Sequence, residues 1–313
     1  MNTKLKGGIY GCIAAVSYGL NPVCAQMLYQ DGLNTNSALF YRFAFCAAIL
    51  GVMMVVQRRS FSITRREAGI LALLGVIFAL SSLTYFLGFH YMSGGVAATL
   101  VFAYPVMTAL IMAAFFHERL SATALLSIVL TVAGIALLYR GDGDRPMSVT
   151  GFLLVMFSAL AYAVYIVIIN RARFVMSSVK LTFYAMLVCL VCMSVFSLTM
   201  GEPLMPLTTG HEWLFAFLLG LVPTVVSLVY MAMAIKLIGS TPTAIMGALE
   251  PVTAVVLGAI IFGDVITLRL SVGIVLILVA VVLIILGGSL PGLAKAQRVV
   301  RAGRLILKRW RWR

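Results

Sequence analysis

GGVAATLVFAYPVMTALIMAAFFHERLS (residues 94–121) and GSTPTAIMGALEPVTAVVLGAIIFGDVIT (239–267) decide the reading of this chain. Each opens on small residues, runs through a proline and reaches an acid near its end. Pro105 and Pro251 lie 146 residues apart, as do Glu118 and Asp264. The stretches that lead into them also match: LALLGVIFALSSLTYFLGF (71–89) aligns with FAFLLGLVPTVVSLVYMAM (215–233). Gly75 then meets Gly220 and Tyr85 meets Tyr230, both at a spacing of 145. Further upstream, AAVSYGLNPV (14–23) aligns with SALAYAVYIV (158–167). One structural unit is written twice.

Both copies sit in a chain too apolar for water. Of 313 residues, 63% are hydrophobic and 10% charged, against roughly 25% charged in soluble domains. A soluble core cannot absorb that much apolar surface, whereas lipid solvates it. A helix needs ~20 mostly apolar residues to cross a hydrocarbon layer ~30 Å thick, and windows such as 67–89 and 268–289 meet that length. In lipid every backbone polar group must be satisfied internally, which leaves helices or a closed barrel. A barrel would alternate apolar and polar residues over ~10-residue segments; the runs here are long and uninterrupted. The predicted spans are 7–28, 37–57, 67–90, 94–116, 121–139, 150–170, 179–200, 212–236, 240–263 and 268–289. The first run is too long for the core of a cleavable leader and lacks a small-residue cleavage site, so it is read as a span. The connections are short enough to exclude a sizeable inserted soluble domain.

With the N-terminus inside, 19 of the 23 Lys and Arg fall on the cytoplasmic side, the bias that membrane proteins show. The outside keeps Arg42, Arg140, Arg145 and Arg269. Eight of the inner cations belong to residues 291–313, which hold no acid and interleave the cations with Leu305, Ile306, Leu307, Trp310 and Trp312. That pattern suits an interfacial helix on anionic lipid. The net charge of +14 therefore points to membrane lipid and not to nucleic acid. The tail reads as an orientation anchor, with a regulatory or partner-binding role as the alternative. Five spans per half is an odd number, so the second half inserts upside down. The expected fold is an all-α integral membrane protein of ten transmembrane helices, arranged as two inverted five-helix repeats. Residues 1–146 form the N-terminal repeat, 147–290 the C-terminal repeat and 291–313 a basic amphipathic cytoplasmic tail. Inverted repeats of this kind rock about a shared midplane site in alternating access.

SYGLNP (17–22), YRFAFCAAIL (41–50), YPVMTAL (104–110), FFHERLS (115–121) and ALEPVTAVVLGAIIFGD (248–264) follow one another along the chain. Taken together they resemble the motifs of the drug/metabolite transporter superfamily, specifically its ten-helix EamA-type family. Tyr18 stands where that family usually has Trp, and Asp264 where Glu is more usual. The resemblance implies a carrier, often an exporter, of amino acids or other small metabolites.

Glu250 is the sharpest candidate site residue, because it lies mid-span. A carboxylate at the bilayer centre costs ~2.5–3.5 kcal/mol even on the lenient insertion scale, so it should face a cavity or a partner. Pro251 follows it, removes a backbone donor and is expected to free the carbonyl of Gly247. The alternative is that Glu250 braces a neighbouring helix. Pro105 is the repeat-mate of Pro251, with Tyr104 where the acid stands; it reads either as a hinge or as a packing kink. Tyr18, Tyr85, Tyr104, Tyr162 and Tyr230, with Asn21, offer hydroxyls, stacking faces and an amide to a substrate. Interfacial belts and interhelical bracing compete with that role. Glu118 and Asp264 read as helix-end locks or gate elements. Arg42 could bind an anion, but snorkelling to the headgroups is the stronger reading. His90 reads as a satisfied polar group. Cys189 and Cys192 form a CxxC in an apolar run and read as packing thiols. The single Gly7-x3-Gly11 motif is weak support for a dimer, so a monomer or weak dimer is expected.

No hydrolase elbow, P-loop or metal-ligand cluster appears, so neither an enzyme nor a cofactor is expected. A channel would need a selectivity ring or filter, and none is evident. The reading that remains is a secondary transporter, expected to export a small metabolite such as an amino acid across the inner or plasma membrane, with proton coupling through the lone mid-span acid. A lipid or carrier-lipid translocator of the same fold is the alternative.

Overall fold

The structure, a computed structural model, describes residues 3–116, 122–139, 148–171 and 176–289. Glu118, the boundary between the proposed halves and the basic tail lie outside the described residues. Among the described residues the regular elements are all helical. Eight stretches are long and apolar enough to cross a membrane: Thr3–Gln30, Thr35–Val56, Arg65–Gly88, Gly94–Phe116, Val149–Ile169, Ser178–Met200, Gly210–Ile238 and Pro242–Phe262. Two further apolar helices, Ala122–Leu138 and Leu268–Leu283, are shorter. Among the described residues eight stretches therefore meet the length requirement, and the two shorter helices stand at the places of the other two expected spans. Large apolar side chains such as Val56, Phe115, Leu198 and Leu268 stay exposed on the flanks, where lipid tails would cover them.

Four of the long stretches are interrupted, each beside a proline. The first divides into α1 (Thr3–Gly19) and α2 (Asn21–Gln30), with Pro22 in the first turn of α2. Next come the continuous α3 (Thr35–Val56) and α4 (Arg65–Gly88). The fourth stretch divides into α5 (Gly94–Val101) and α6 (Tyr104–Phe116), with Pro105 second in α6. Then follow α7 (Ala122–Tyr139), α8 (Val149–Arg171) and α9 (Ser178–Met200). The seventh long stretch runs through α10 (Gly210–Gly220), a π-helical turn at Leu221–Val226 that contains Pro223, and α11 (Ser227–Ile238). The eighth lies in α12 (Ser240–Met246) and α13 (Leu249–Phe262), with Pro251 third in α13. Helix α14 (Leu268–Ser289) closes the order. Proline lacks an N–H and clashes with the preceding turn, so the ladder stops and restarts with the ring in the new first turn.

The helix starts repeat as the spans do. Thr64 and Glu67 form a capping box at the head of α4. Thr209 and Glu212 form the same box at the head of α10, satisfying backbone donors reciprocally. Packing repeats too. Helix α4 packs on α8 as α1 packs on α11; α4 packs on α9 as α10 packs on α3; α6 packs on α8 as α13 packs on α1. The pairs α3–α9 and α7–α14 map onto themselves when the two halves are exchanged. Gly75 and Gly220 make two of these approaches close. A Cβ on Gly75 would stand 3.2 Å from the Ala185 carbonyl of α9, and one on Gly220 3.1 Å from the Arg42 carbonyl of α3. The Gly7–Gly11 stripe packs within the chain, on Leu237 of α11 and Met246 of α12. Cys189 is buried and donates to the Gly75 carbonyl at 3.3 Å, a packing role.

Mirrored straps tie each membrane face. The connection after α9 bonds to the head of α3: Tyr41 donates to the Met205 carbonyl (3.1 Å), the Met205 amide to Ser37 Oγ (2.8 Å) and Asn34 Nδ2 to the Pro203 carbonyl (3.0 Å). The connection after α3 bonds to the head of α9: Lys180 Nζ donates to the Ser62 carbonyl and the Tyr184 hydroxyl to the Phe61 carbonyl. His211 pairs with Asp31 at 2.5 Å on the first of these faces.

Candidate functional site

All four interruptions border one cavity of ≈ 230 Å³. Tyr18 and Asn21 enter it at the α1–α2 break, Phe102 and Tyr104 at the α5–α6 break, Pro223 and Thr224 from the π turn, and Glu250 from the head of α13. The continuous helices supply further lining: Arg42 from α3, Phe78, Ser81, Ser82 and Tyr85 from α4, Ser158, Tyr162 and Tyr165 from α8, Thr182 and Met186 from α9. Irregular backbone at membrane depth is tolerated where it lines a cavity or is buried in protein, which accounts for the clustering of breaks here.

Reciprocal bonds brace one wall. Ser81 Oγ donates to the Ser158 carbonyl (3.0 Å) and Ser158 Oγ to the Ser81 carbonyl (2.7 Å), locking α4 to α8. Aromatic rings form a second wall. Tyr104 meets Tyr162 edge-on at 4.7 Å, Tyr162 stacks on Tyr165 at 5.8 Å, and Phe78 packs against both α8 tyrosines. Edge-to-face and offset pairs of this kind hold rings in fixed orientation.

The guanidinium, amide and carboxyl at the cavity belong to Arg42, Asn21 and Glu250. Arg42 is 2% exposed. Its Nε donates to Thr224 Oγ1 at 3.4 Å, and its guanidinium lies 5.4 Å from the Phe86 ring centre. Thr224 Oγ1 in turn donates to the Leu219 carbonyl across the π turn. The expectation that Arg42 snorkels to the headgroups is overturned: α3 is packed against α9 and α10, and the side chain points at the π turn instead of along the lipid face. Asn21 is fully buried, with neither amide atom bonded to a partner. The Tyr18 hydroxyl is within electrostatic reach of both Arg42 and Glu250. Arg42 and Glu250, both described residues, line the same cavity without an ion pair between them.

Of the residues expected from the sequence, the fold brings Tyr18, Asn21, Tyr85, Tyr104, Tyr162 and Glu250 to this cavity. Tyr230 is not brought there; it packs edge-on against Tyr10 at 5.3 Å in the α1–α11 seam. Pro105 and Pro251 sit in the first turns after their breaks. The Gly247 carbonyl is not free: it accepts the Glu250 amide at 2.9 Å. The turn at the break tightens to a three-residue bond, which supplies the donor that proline removed. Asp264 follows the left-handed Gly263 at the end of α13, and its Oδ2 is buried without a partner. His90 is satisfied, with Nε2 2.9 Å from Thr35 Oγ1 and its ring stacked on Tyr29. Thr224 and the serine pair were missed as cavity residues, and Arg42, weighed as an anion site, was set below headgroup snorkelling. A cation inside an apolar run was the available signal, since an intramembrane ionisable residue is a functional candidate by default.

Comparison with known proteins agrees with this architecture. The EamA-like transporter family matches residues 5–140 and again 149–286. The "Uncharacterized transporter YdfC" of Bacillus subtilis is 26% identical over 63% of this chain and 64% of its own length. "Uncharacterized transporter YcbK" of the same organism is 22% identical over 82% of this chain and 86% of its own. An uncharacterized transporter of Clostridium kluyveri is 21% identical over 88% and 91%. A solved crystal structure superposes with a TM-score of 0.65 at 16% identity, covering 88% of this chain and 95% of that one; at that identity it shows the fold alone. With two matched repeats, multiple apolar spans and relatives named as transporters, this multi-pass membrane protein belongs to the EamA-like transporter family.

Proposed function

We propose that the chain is a secondary transporter, working as an exporter, that carries a small metabolite such as an amino acid across the inner or plasma membrane by alternating access. The central cavity carries this reading: a guanidinium, a carboxyl, an amide and several tyrosine hydroxyls converge where four helices break. Its ≈ 230 Å³ is below the ~300–1,000 Å³ of drug-sized sites, which favours a small solute over a lipid. Ten spans in two opposed halves, with both termini cytoplasmic, complete the proposal. The exchangeable packing pairs support the opposed halves, and the mirrored straps at the two faces provide contacts that break and re-form in turn. Protons couple through Glu250.

Reconstitution into liposomes tests it. The expected result is flux of one or more amino acids from a panel, responsive to an imposed pH gradient. Movement of a phospholipid probe with no solute flux would instead indicate a lipid translocator of the same fold.

A further inference from the structure

Away from the central cavity, an apolar trench of ≈ 680 Å³ runs between α3 and α9. Ala44, Ala48 and Gly51 of α3 leave it open, and Phe183, Leu187 and Leu190 of α9 form its far side. A Cβ on Gly51 would stand 3.2 Å from the Phe183 ring, so the absence of a side chain there keeps the floor clear. From Ala44 to Val56 the lining covers about 18 Å of helix at 1.5 Å per residue. One leaflet of a ~30 Å hydrocarbon layer is about as deep. The trench ends at a polar pocket of ≈ 340 Å³ lined by Arg59, Ser60, Glu67, Ser177 and Lys180. Trench and pocket are continuous on both walls. Ser60 precedes Phe61, which lines the trench, and Lys180 stands one turn before Phe183 on α9. Glu67 commits its Oε2 to the Thr64 amide and hydroxyl. Residues 58–67 set four arginines against that one acid, so the pocket keeps a positive surplus. The mirrored connection, residues 201–209, holds Glu202 and no Lys or Arg.

Orientation in a membrane calls for cations on one face, but not for an apolar trench that ends between them. A second copy is a poor occupant. A two-fold interface repeats one patch, which would set each copy's Arg59 and Lys180 against the other's at the same depth. An anionic lipid supplies the opposite charge instead. We infer that the α3–α9 trench holds an acyl chain of an anionic phospholipid whose phosphate sits between Arg59 and Lys180. The arginine fork takes two phosphate oxygens, and the ammonium adds a point charge. Lys180 also donates to the Ser62 carbonyl, so headgroup and strap share one cation.

The test uses full-length protein in detergent with equal amounts of phosphatidylglycerol and phosphatidylcholine of the same chains, and native mass spectrometry to count the lipids retained. The expected result is phosphatidylglycerol held in preference to phosphatidylcholine and not displaced by inorganic phosphate. Arg59→Gln should lower that preference about fivefold, the share of one cation at a lipid surface, and Arg59→Lys should keep most of it. Ala48→Trp fills the trench from an exposed position and should lose the lipid with both cations intact. Val195→Trp, exposed on α9 and outside the trench, should keep it. The basic tail is present in every variant, so a preference that none of them alters belongs to the tail and overturns the inference. Equal retention of the two lipids by the wild type overturns it too. So does displacement by inorganic phosphate, which would mark an anion site without an acyl chain. A lipid-free wild-type dimer that Ala48→Trp separates into monomers overturns it in favour of a second copy.

Discussion

The stretches that hold α5–α6 and α12–α13 are the same device with different contents. Both stop three or four residues before a tyrosine or acid that precedes a proline, and both restart with that proline in the first turn. They pack on each other through α5 and α13, where a Cβ on Gly95 would meet the Val255 backbone. At the cavity, however, one presents the Tyr104 hydroxyl and the other the Glu250 carboxyl. Arg42 has Ala185 as its counterpart, since their carbonyls face Gly220 and Gly75 in turn, so the cation comes from the first half alone. The repeat builds a symmetric frame, and the chemistry resides in the positions where its copies differ.

The largest expected effect comes from exchanging those contents. Glu250→Gln removes the carboxyl proposed to carry protons, so it should abolish proton-driven flux and any response to a pH gradient. Tyr104→Phe removes a single neutral hydroxyl, worth ~1 kcal/mol, and should slow transport about fivefold. Liposome flux at matched protein content checks both. Equal losses in the two variants would mean that the breaks, and not their side chains, carry the function.

A second pair tests the frame. Gly75→Ala and Gly220→Ala each force a methyl against a carbonyl about 3 Å away, and overpacking of this sort costs ~1–3 kcal/mol. Both variants should melt at lower temperature in detergent. Only Gly220 abuts α3 at Arg42, so Gly220→Ala should also weaken transport, while Gly75→Ala retains the wild-type apparent affinity.

Much of this was legible in the sequence for a physical reason. Hydrophobicity and proline act along the chain, so span limits, the breaks at Pro105 and Pro251 and the position of Glu250 could be read directly. What could not be read is azimuth. Arg42 lies early in an apolar run, and chain position alone allows it to face either lipid or protein. Thr224, 182 residues away, settles the matter. Tyr230 shows the converse: its repeat-mate Tyr85 lines the cavity, yet the π turn ahead of α11 changes the helical phase between Gly220 and Tyr230. No such turn interrupts α4, so equal spacing does not give equal facing. The capping boxes at Thr64 and Thr209 stood at the repeat spacing and were a further legible signal of the duplication.

Those boxes also provide the smallest and most controlled comparison. Thr64 and Thr209 each accept the amide of the acid three residues on, at 3.3 and 3.1 Å. Each Thr→Ala change should cost ~1 kcal/mol of stability. The acids differ more than the threonines. Glu67 bonds only the backbone and hydroxyl of Thr64 among the contacts of its box, whereas Glu212 also takes the amide and hydroxyl of Thr208 and is 5% exposed. Removing Glu212 therefore breaks more hydrogen bonds, and each is worth ~0.5–1.5 kcal/mol. Glu212→Ala should lower the melting temperature further than Glu67→Ala, and Glu212→Gln should recover part of the loss because the amide oxygen still accepts from the backbone. If the two alanine variants melt together, burial of the second box contributes nothing, and the copies are energetically as well as geometrically equivalent at their helix heads.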